Sequence, residues 1–238
     1  MNEIGAMLSM ADVICPNSRA EVERFVSHFD VASEKYHVTH NGVDAAFFDP
    51  VDPALFVSTY QIRQPFLLCV GNIENRKNQY ALLEACERLG IHLVLIGGIR
   101  DSEYFNKMEQ RFGDKYSYLG FLNHDDPVLK SAYAASAAFV LPSLLETPGL
   151  AALEAAAVGT RLVITQEGCT EEYFGKGALY VDPKSVDDIA GKITAAINTR
   201  DGVEFLKNQV LEFSWDKVAL ELEEAYLKAK EQVRNRNK

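Results

Sequence analysis

Two glutamates stand eight positions apart around the predicted start of a helix, and their placement suits a binding site. Glu146 lies in a polar loop after an apolar run, and Glu154 lies on the second turn of a helix that begins at Pro148 and Gly149. The N–H groups and the positive dipole end of a helix N-terminus favour an anion such as phosphate. The alternative is that Thr147 merely caps the helix and both glutamates are solvated.

Two adjacent cations follow another apolar run. Gly71 comes directly after residues 66–70, and Arg76 and Lys77 lie in the loop behind it. Glycine permits a tight backbone turn, arginine can bind phosphate oxygens in a bidentate manner, and lysine acts as a point charge. The alternative is that both are ordinary surface cations. Gly97, after the next apolar run, allows the close approach of a ligand or of backbone, or simply forms a turn.

The elements that must position these residues alternate regularly. Apolar runs typical of strands occupy residues 66–70, 93–96, 116–119, 139–141, 162–164 and 179–181, and predicted helices occupy residues 78–89, 101–112, 126–135, 149–158 and 185–198. Continuous apolar strands that alternate with helices indicate a parallel sheet covered on both faces. The predicted fold class is α/β, a Rossmann-like doubly wound parallel sheet, with ligands at the carboxyl ends of its strands.

The two ends of the chain are organised differently. Predicted helices occupy residues 2–10, about 18–29, 201–211 and 215–231, predicted strands occupy residues 12–15 and 36–39, and the basic tail 228–238 is expected to fray. Residues 1–50 hold too little structure for an independent core. We therefore expect three parts: a remnant of a preceding domain with a linker (1–50), the ligand-binding domain (51–199) and C-terminal helices (200–238).

Composition restricts the class of protein. The chain has 238 residues and a net charge of −10, which argues against non-specific nucleic-acid binding. It has neither an apolar run long enough to span a membrane nor a secretory signal. Cys15, Cys69 and Cys86 are predicted to be buried thiols, and Cys169 is the candidate for exposure. The sequence predicts a cytoplasmic protein, with a peripheral place at the inner face of the membrane as an alternative.

Eight short segments carry a resemblance to a known family. They are ADVICPNS, VTHNGVD, VGNIENRKN, LIGG, YLGF, LPSLLETPGLAALEA, ALYVDP and FSW. Together they resemble retaining GT-B glycosyltransferases of the family 4 type (glycosyl transferases group 1), which includes sucrose synthase and many bacterial mannosyl- and glucosyltransferases. The resemblance runs from about Ala11 to Tyr226. Its most specific part is the E-x7-E motif of Glu146 and Glu154, in register with the Lys77 loop.

The resemblance implies that the chain is the C-terminal, donor-binding half of a GT-B fold with a remnant of the N-terminal acceptor domain. Arg76 and Lys77 would neutralise the diphosphate of a nucleotide sugar, and Glu154 would bind the ribose hydroxyls. Glu146, the candidate catalytic residue, would hold the sugar and the diphosphate. The residues implied to line the donor site are Gly71, Asn72, Arg76, Lys77, Gly97, Pro148, Gly149, Leu150 and Glu154.

These implied roles agree with the chemistry of glycosyl transfer. The transfer needs a stabilised leaving group, which two cations and a helix N-terminus can provide. Neither a metal nor a cofactor is expected, because no carboxylate cluster in the sequence suggests a metal site.

The sequence departs from the family in three places. Asn72 stands where many members have arginine, so Arg76 is expected to take over that charge. Thr147, Pro148 and Gly149 replace the commoner Gly-Phe-Gly, which predicts a sugar pocket of different shape. The acceptor domain, which in the family usually supplies a histidine near the reacting carbon, is expected to be absent apart from its last elements.

The predicted function is donor binding in a hexosyltransferase of polysaccharide biosynthesis, which moves mannose or glucose to a glycan or lipid-linked acceptor with retention. The alternative is an inactive nucleotide-sugar-binding subunit that a separate acceptor-domain chain completes. A glycosidase with two catalytic glutamates leaves the cations without a purpose. The sequence lacks the glycine signatures of dinucleotide dehydrogenases and of P-loop NTPases. An epimerase would not require the E-x7-E motif. Apolar surface on residues 1–50 and on the last helix predicts self-association.

Overall fold

The structure is a computed structural model that describes residues 3–199 and 201–236. Its strands are β1 (Phe66–Val70), β2 (His92–Ile96), β3 (Tyr116–Tyr118), β4 (Ala138–Leu141), β5 (Leu162–Thr165) and β6 (Leu179–Val181). Its α-helices are α1 (Glu3–Met10), α2 (Arg19–His28), α3 (Ala54–Tyr60), α4 (Gln79–Leu89), α5 (Ser102–Phe112), α6 (Pro127–Ala135), α7 (Leu150–Val158), α8 (Thr170–Phe174), α9 (Val186–Asn198), α10 (Val203–Leu211) and α11 (Trp215–Arg236).

The chain forms two compact units. Val43–Leu211 form the larger one, and the described residues up to Gly42, together with those from Glu212 onward, form the smaller one. None of the helices among the described residues is long and apolar enough to cross a membrane.

The larger unit is built on one parallel sheet with the strand order β3-β2-β1-β4-β5-β6. The order reverses between β1 and β4, where Leu67 pairs with Ala138 and Leu68 with Phe139. A reversal of this kind opens a crevice at the carboxyl ends of the two strands, because their connections leave toward opposite faces of the sheet. The loops after β1 and β4 therefore meet at one place.

The burial of the strands confirms the predicted doubly wound sheet. Every residue of β4 and β5 is buried, as are the first four residues of β1. Strands buried on both faces are sequences of apolar residues without polar alternation, which is the pattern in this chain. The apolar core of the larger unit thus lies on both sides of the sheet and holds the strand ends in place.

Helices α4 and α7 begin differently from α5, α6 and α9. Asp101, Asp126 and Ser185 cap α5, α6 and α9 by accepting a hydrogen bond from a backbone N–H in the first turn. The helices that begin at the crevice, α4 and α7, have no side-chain cap, and their N-cap residues Asn78 and Gly149 adopt positive φ values of 59° and 93°. The crevice is therefore bordered by two helix N-termini without caps.

The smaller unit joins the two ends of the chain. His40 donates its backbone N–H to Glu221 on α11 at 2.8 Å, and its Nδ1 lies 2.9 Å from the same carboxylate. Gly42 must be glycine because a Cβ there would lie 2.5 Å from the Trp215 ring. His40 and Gly42 thus pack on the last helix.

Three local predictions are wrong in the smaller unit. The strands expected at 12–15 and 36–39 amount to one parallel bridge between Ile14 and Tyr36. The tail expected to fray is helical as far as Arg236, and Lys228 on it donates to the Tyr36 carbonyl at 3.0 Å. Cys15 is exposed, because the short segment that carries it is not covered as a sheet strand would be.

Candidate functional site

The loop after β1 is fixed by backbone contacts and by one asparagine. Gly71 and Ile73 donate backbone N–H groups to the Ile96 and Gly98 carbonyls at 2.9 and 2.8 Å. A short 3₁₀ helix, Asn75–Lys77, then ends at Asn78. The Asn78 side chain donates to the carbonyls of Pro142 and Pro183 at 3.0 and 2.8 Å, so one amide joins the loops after β1, β4 and β6.

The loop after β4 is held on both sides. Leu144 donates its N–H to the Arg76 carbonyl at 2.8 Å, and the Arg76 Nη1 donates to the Leu145 carbonyl at 3.0 Å. Glu146 donates its backbone N–H to the Glu167 carbonyl at 3.1 Å, in the loop after β5. At Gly168 a Cβ would lie 2.0 Å from the Glu146 carbonyl oxygen, so only glycine allows this approach.

A buried carboxylate lies between two cations where these loops meet. Glu146 Oε1 lies 2.6 Å from Lys77 Nζ and 3.7 Å from Arg76 Nη1. The side chains of Glu146 and Lys77 are 4% and 12% exposed, whereas Arg76 is 49% exposed. Arg76 Nη2 also lies 2.8 Å from Glu74 Oε1. The accessible part of this positive charge is therefore the guanidinium of Arg76.

The start of α7 belongs to the same cluster. A Cβ built on Gly149 would lie 3.3 Å from Glu146 Oε2, so the N-cap of α7 lies against the carboxylate that Lys77 contacts. Pro148 is buried beside it, and Leu150 is 51% exposed. Lys77, Arg76, Glu146 and the α7 N-terminus thus converge, and an anion bound there would meet two cations and backbone N–H groups.

Glu154 faces a separate set of partners on the second turn of α7. Tyr133 on α6 donates its hydroxyl to Glu154 Oε2 at 2.6 Å, and His124 Nδ1 lies 3.2 Å from Oε1. Burial raises the pKa of Glu154, and its hydrogen bonds with Tyr133 and His124 partly counter that effect. Burial and the neighbouring carboxylate hold the pKa of Tyr133 well above its ordinary value. Glu154 is therefore a buried hydrogen-bonded group, not a solvated helical glutamate.

The remaining predicted residues lie in neighbouring loops. Gly97 has a φ of 152°, and a Cβ there would lie 2.0 Å from the Gly71 carbonyl oxygen. The close packing of these two loops therefore requires glycine at position 97, whether or not a ligand binds there. The Asn72 carbonyl accepts a hydrogen bond from Gln79 Nε2 at 2.8 Å, which ties the loop to the first turn of α4.

Three residues that sequence reasoning did not single out are part of this arrangement: Asn78, His124 and Tyr133. Asparagine tolerates the left-handed conformation that Asn78 adopts, so its presence there is a weak local signal of a turn. His124 and Tyr133 are far from Glu154 in sequence, and no spacing rule points to them. Cys169, the candidate for exposure, is instead 4% exposed because it packs beneath the Glu146 backbone, where its N–H donates to the Glu146 carbonyl at 3.2 Å.

A cavity of about 510 Å³ lies elsewhere, at the amino ends of β1, β2 and β3. Pro65, His92 and Lys115 are among its lining residues, and no predicted site residue lines it. In doubly wound sheets ligands bind at the carboxyl ends of the strands. We therefore place the candidate site at the crevice with the charged cluster.

The fold and the crevice define a class, the doubly wound α/β proteins whose charged residues gather where the strand order reverses. A family model, glycosyl transferases group 1, matches residues 56–210, and the chain belongs to this family. It is 28% identical over 225 residues to the O-antigen chain mannosyltransferase B of Escherichia coli, an alignment that covers 88% of this chain and 58% of that protein. It is 27% identical over 235 residues to an uncharacterized glycosyltransferase of Methanocaldococcus jannaschii, which covers 91% of this chain and 60% of that one.

Solved structures show the same fold. A sucrose-phosphate synthase from Thermosynechococcus elongatus superposes with a TM-score of 0.81 at 22% identity, covering 94% of this chain and 60% of that one. The Anabaena protein HepE, solved in complex with UDP and glucose, superposes with a TM-score of 0.80 at 18% identity. The superposition covers 91% of this chain and 63% of that one. The chain thus spans about 60% of the length of the proteins it matches.

Proposed function

We propose that this chain binds the nucleotide-diphosphate sugar donor of a hexosyltransferase and contributes the donor side of a retaining transfer to a glycan or lipid-linked acceptor. The observation that carries the proposal is the cluster of Lys77, Arg76 and Glu146 at the N-terminus of α7, in the crevice between β1 and β4. Family membership supports it, as do a relative named as a mannosyltransferase and a neighbour solved with UDP and glucose.

In this proposal the diphosphate lies at the start of α7. Arg76 is half exposed and can turn its guanidinium to phosphate oxygens, while Lys77 provides a nearly buried point charge. A low-dielectric site strengthens both interactions, and it stabilises the charge that develops on the diphosphate as the sugar leaves. Gly71, Asn72 and Gly97 form the neighbouring wall.

Glu154 and Glu146 have different roles in the proposal. Glu154 binds ribose hydroxyls, because Tyr133 fixes Oε2 and leaves Oε1 on the side of the partly exposed His124. Glu146 keeps Lys77 in place and faces the sugar together with the backbone of Pro148, Gly149 and Leu150. No metal takes part, since the two cations and the helix dipole meet the charge of the diphosphate.

The experiment is isothermal calorimetry of the whole chain with UDP-, GDP- and ADP-sugars. We expect one of them to bind and the Arg76→Ala/Lys77→Ala variant to bind at least about 100-fold more weakly, because two charge-assisted contacts of about 1.5–3 kcal/mol each are lost. The matched control is Arg111→Ala/Lys115→Ala, which also removes an arginine and a lysine that share one carboxylate, that of Glu87. Equal affinity of the two double variants would contradict the diphosphate site.

Excess EDTA tests the metal-free part of the proposal. We expect unchanged affinity for the donor in EDTA and in magnesium, because the site uses side chains and backbone N–H groups. A requirement for magnesium would instead place a cation between the phosphates and the carboxylates Glu74 and Glu146.

Sugar transfer is tested separately from binding. If the 238-residue chain turns over only when a second chain with an acceptor site is added, the subunit alternative is favoured. Turnover of a simple acceptor by this chain alone would favour a self-sufficient enzyme. The anomeric configuration of the product, determined by NMR, shows whether the transfer proceeds with retention.

A further inference from the structure

His124 occupies the oxygen of Glu154 that the proposed ribose contact needs. Tyr133 already holds Oε2 at 2.6 Å, and its hydroxyl is buried. His124 Nδ1 lies 3.2 Å from Oε1, and its side chain is 51% exposed while that of Glu154 is 12% exposed. The imidazole therefore stands between the carboxylate and solvent.

The surroundings leave room for the imidazole to move. A cavity of about 350 Å³ adjoins His124 on the side of Phe47, whose ring centroid lies 5.1 Å from the imidazole. The charged or titratable groups around His124 are Glu154 on α7, Tyr133 and Lys130 on α6, Asp125 and Asp126 beside it, and Asp44 and Asp49 on the segment that carries Phe47.

Three of these groups are engaged elsewhere. Asp44 accepts from the Ala46 N–H at 2.8 Å. Asp126 accepts from the Val128 N–H at the start of α6, and Lys130 donates to the Ala46 carbonyl. Glu154 is thus the carboxylate that His124 contacts directly.

We propose that His124 competes with the ribose of the donor for Glu154, and that this competition depends on a proton. As an imidazolium, His124 holds Oε1 through a charge-assisted hydrogen bond. When ribose hydroxyls bind Oε1, the imidazole leaves, loses its carboxylate partner and releases its proton to solvent. The inference rests on the proposed function, because it needs Glu154 to be the ribose ligand.

The sign of the pH dependence follows from this competition. Protons stabilise the donor-free form, so acidification weakens donor binding. The loss is at most about tenfold for each pH unit over which the imidazole is protonated in the donor-free form and neutral in the donor-bound form. At alkaline pH the neutral imidazole is a weaker competitor. Sugar nucleotides are suitable probes, since their diphosphate is a diester that keeps its charge across this range.

The test is calorimetry of the sugar nucleotide that binds, between about pH 6 and pH 8, where imidazoles change charge. Measurements in PIPES and in Bis-Tris, which differ in heat of ionisation and contain no phosphate, give the number of protons released. We expect wild-type affinity to fall several-fold toward pH 6, with proton release. His124→Asn keeps a donor near Oε1 without titrating, so its affinity should be constant with pH.

Two further variants complete the test. His124→Ala frees Oε1 and should bind more tightly than wild type at about pH 6 and equally at about pH 8. His92→Asn is the matched control, because His92 lies at the amino end of β2, away from the crevice, and bonds to Ser117 on β3. Its pH profile should follow that of wild type.

The outcomes separate the inference from the proposed function. If no sugar nucleotide binds wild type at either pH, the proposed function fails and the inference fails with it. If wild type binds but His124→Asn keeps the same pH profile and proton release, the competition by His124 is overturned and donor binding stands. Weaker binding by His124→Ala at about pH 8 would show that His124 contributes a contact to the donor, which also overturns the competition.

Discussion

At the scale of single residues, Glu146 is the most constrained charge in the crevice. It is 4% exposed, and a buried carboxylate without a cation is costly because it has lost its hydration. Lys77 at 2.6 Å supplies the main compensation, and Arg76 at 3.7 Å adds to it. The pair thus serves the folded state as well as the proposed ligand.

The first prediction concerns this pair. Lys77→Met should lower the free energy of unfolding by about 1–3 kcal/mol, because it leaves a buried carboxylate with one distant cation. The double variant Lys77→Met/Glu146→Gln should lose less free energy of unfolding than the two single variants lose together, since it leaves no unpaired buried charge. Urea unfolding measures all three.

The control for the first prediction is Arg88→Met. Arg88 pairs with Asp187, whose side chain is 90% exposed, so the loss should stay below about 0.5 kcal/mol. If Lys77→Met lowers the free energy of unfolding by as little as Arg88→Met does, the Glu146 carboxylate does not depend on Lys77.

The second prediction concerns Glu154 and pH. Burial holds its folded-state pKa above the ordinary 4.5, so the folded chain binds this proton more tightly than the unfolded chain. From pH 4.5 upward, as far as the raised value, this carboxyl lowers the free energy of unfolding as pH rises. The slope is at most about 1.4 kcal/mol per pH unit.

Urea unfolding of Glu154→Gln against wild type isolates this slope. The wild-type free energy of unfolding, relative to that of the variant, should fall through the window above pH 4.5 and then become constant. A difference that grows with pH would mean that the hydrogen bonds from Tyr133 and His124 outweigh burial.

At the scale of elements, the sequence was most informative where the signal is local. Strands buried on both faces need continuous apolar runs, so their positions are visible, and β5 and β6 each lie within a residue or so of their predicted bounds. The five-residue helix α8 is too short to show a helical period. The tail helix extends past Leu227 because its Lys, Glu, Gln and Arg residues favour helix without forming an apolar stripe.

Contacts between elements were less predictable. The E-x7-E spacing and the Lys77 loop carried the resemblance, and the structure brings Lys77 and Glu146 into contact. The bonds of Glu154 to Tyr133 and His124 depend on how α6 and the loop before it lie beside α7, which spacing does not encode. The same is true of Asn78, whose amide reaches two other loops.

The third prediction tests the packing of the loops after β1 and β2. Gly97→Ala should lower the free energy of unfolding by about 1–3 kcal/mol, because its Cβ would lie 2.0 Å from the Gly71 carbonyl oxygen. Gly191→Ala is the matched control, since it adds the same methyl group inside α9 where no atom lies within 4 Å. That change should stabilise the chain by about 0.5–1 kcal/mol. If thermal unfolding shows that the two variants are equally stable, the close approach of these loops does not restrict the residue at position 97.

At the scale of the whole molecule, every proposed donor-site residue belongs to the larger unit. Val43–Leu211 contain strands β1 to β6, and the family model matches residues 56–210, which lie inside these bounds. A unit of this size can bury enough apolar surface to fold by itself. The described ends of the chain instead form the smaller unit around α11.

The fourth prediction is that a fragment comprising Val43–Leu211 folds cooperatively and binds the sugar nucleotide within about threefold of the whole chain, or about 0.6 kcal/mol. The physical reason is that Lys77, Glu146 and Glu154 are held by strands, helices and loops of this unit alone. Urea unfolding and calorimetry measure the two properties, and the fragment with Arg76→Ala/Lys77→Ala serves as the control with weakened binding. A fragment that unfolds cooperatively but no longer binds would show that the donor site needs residues outside Val43–Leu211.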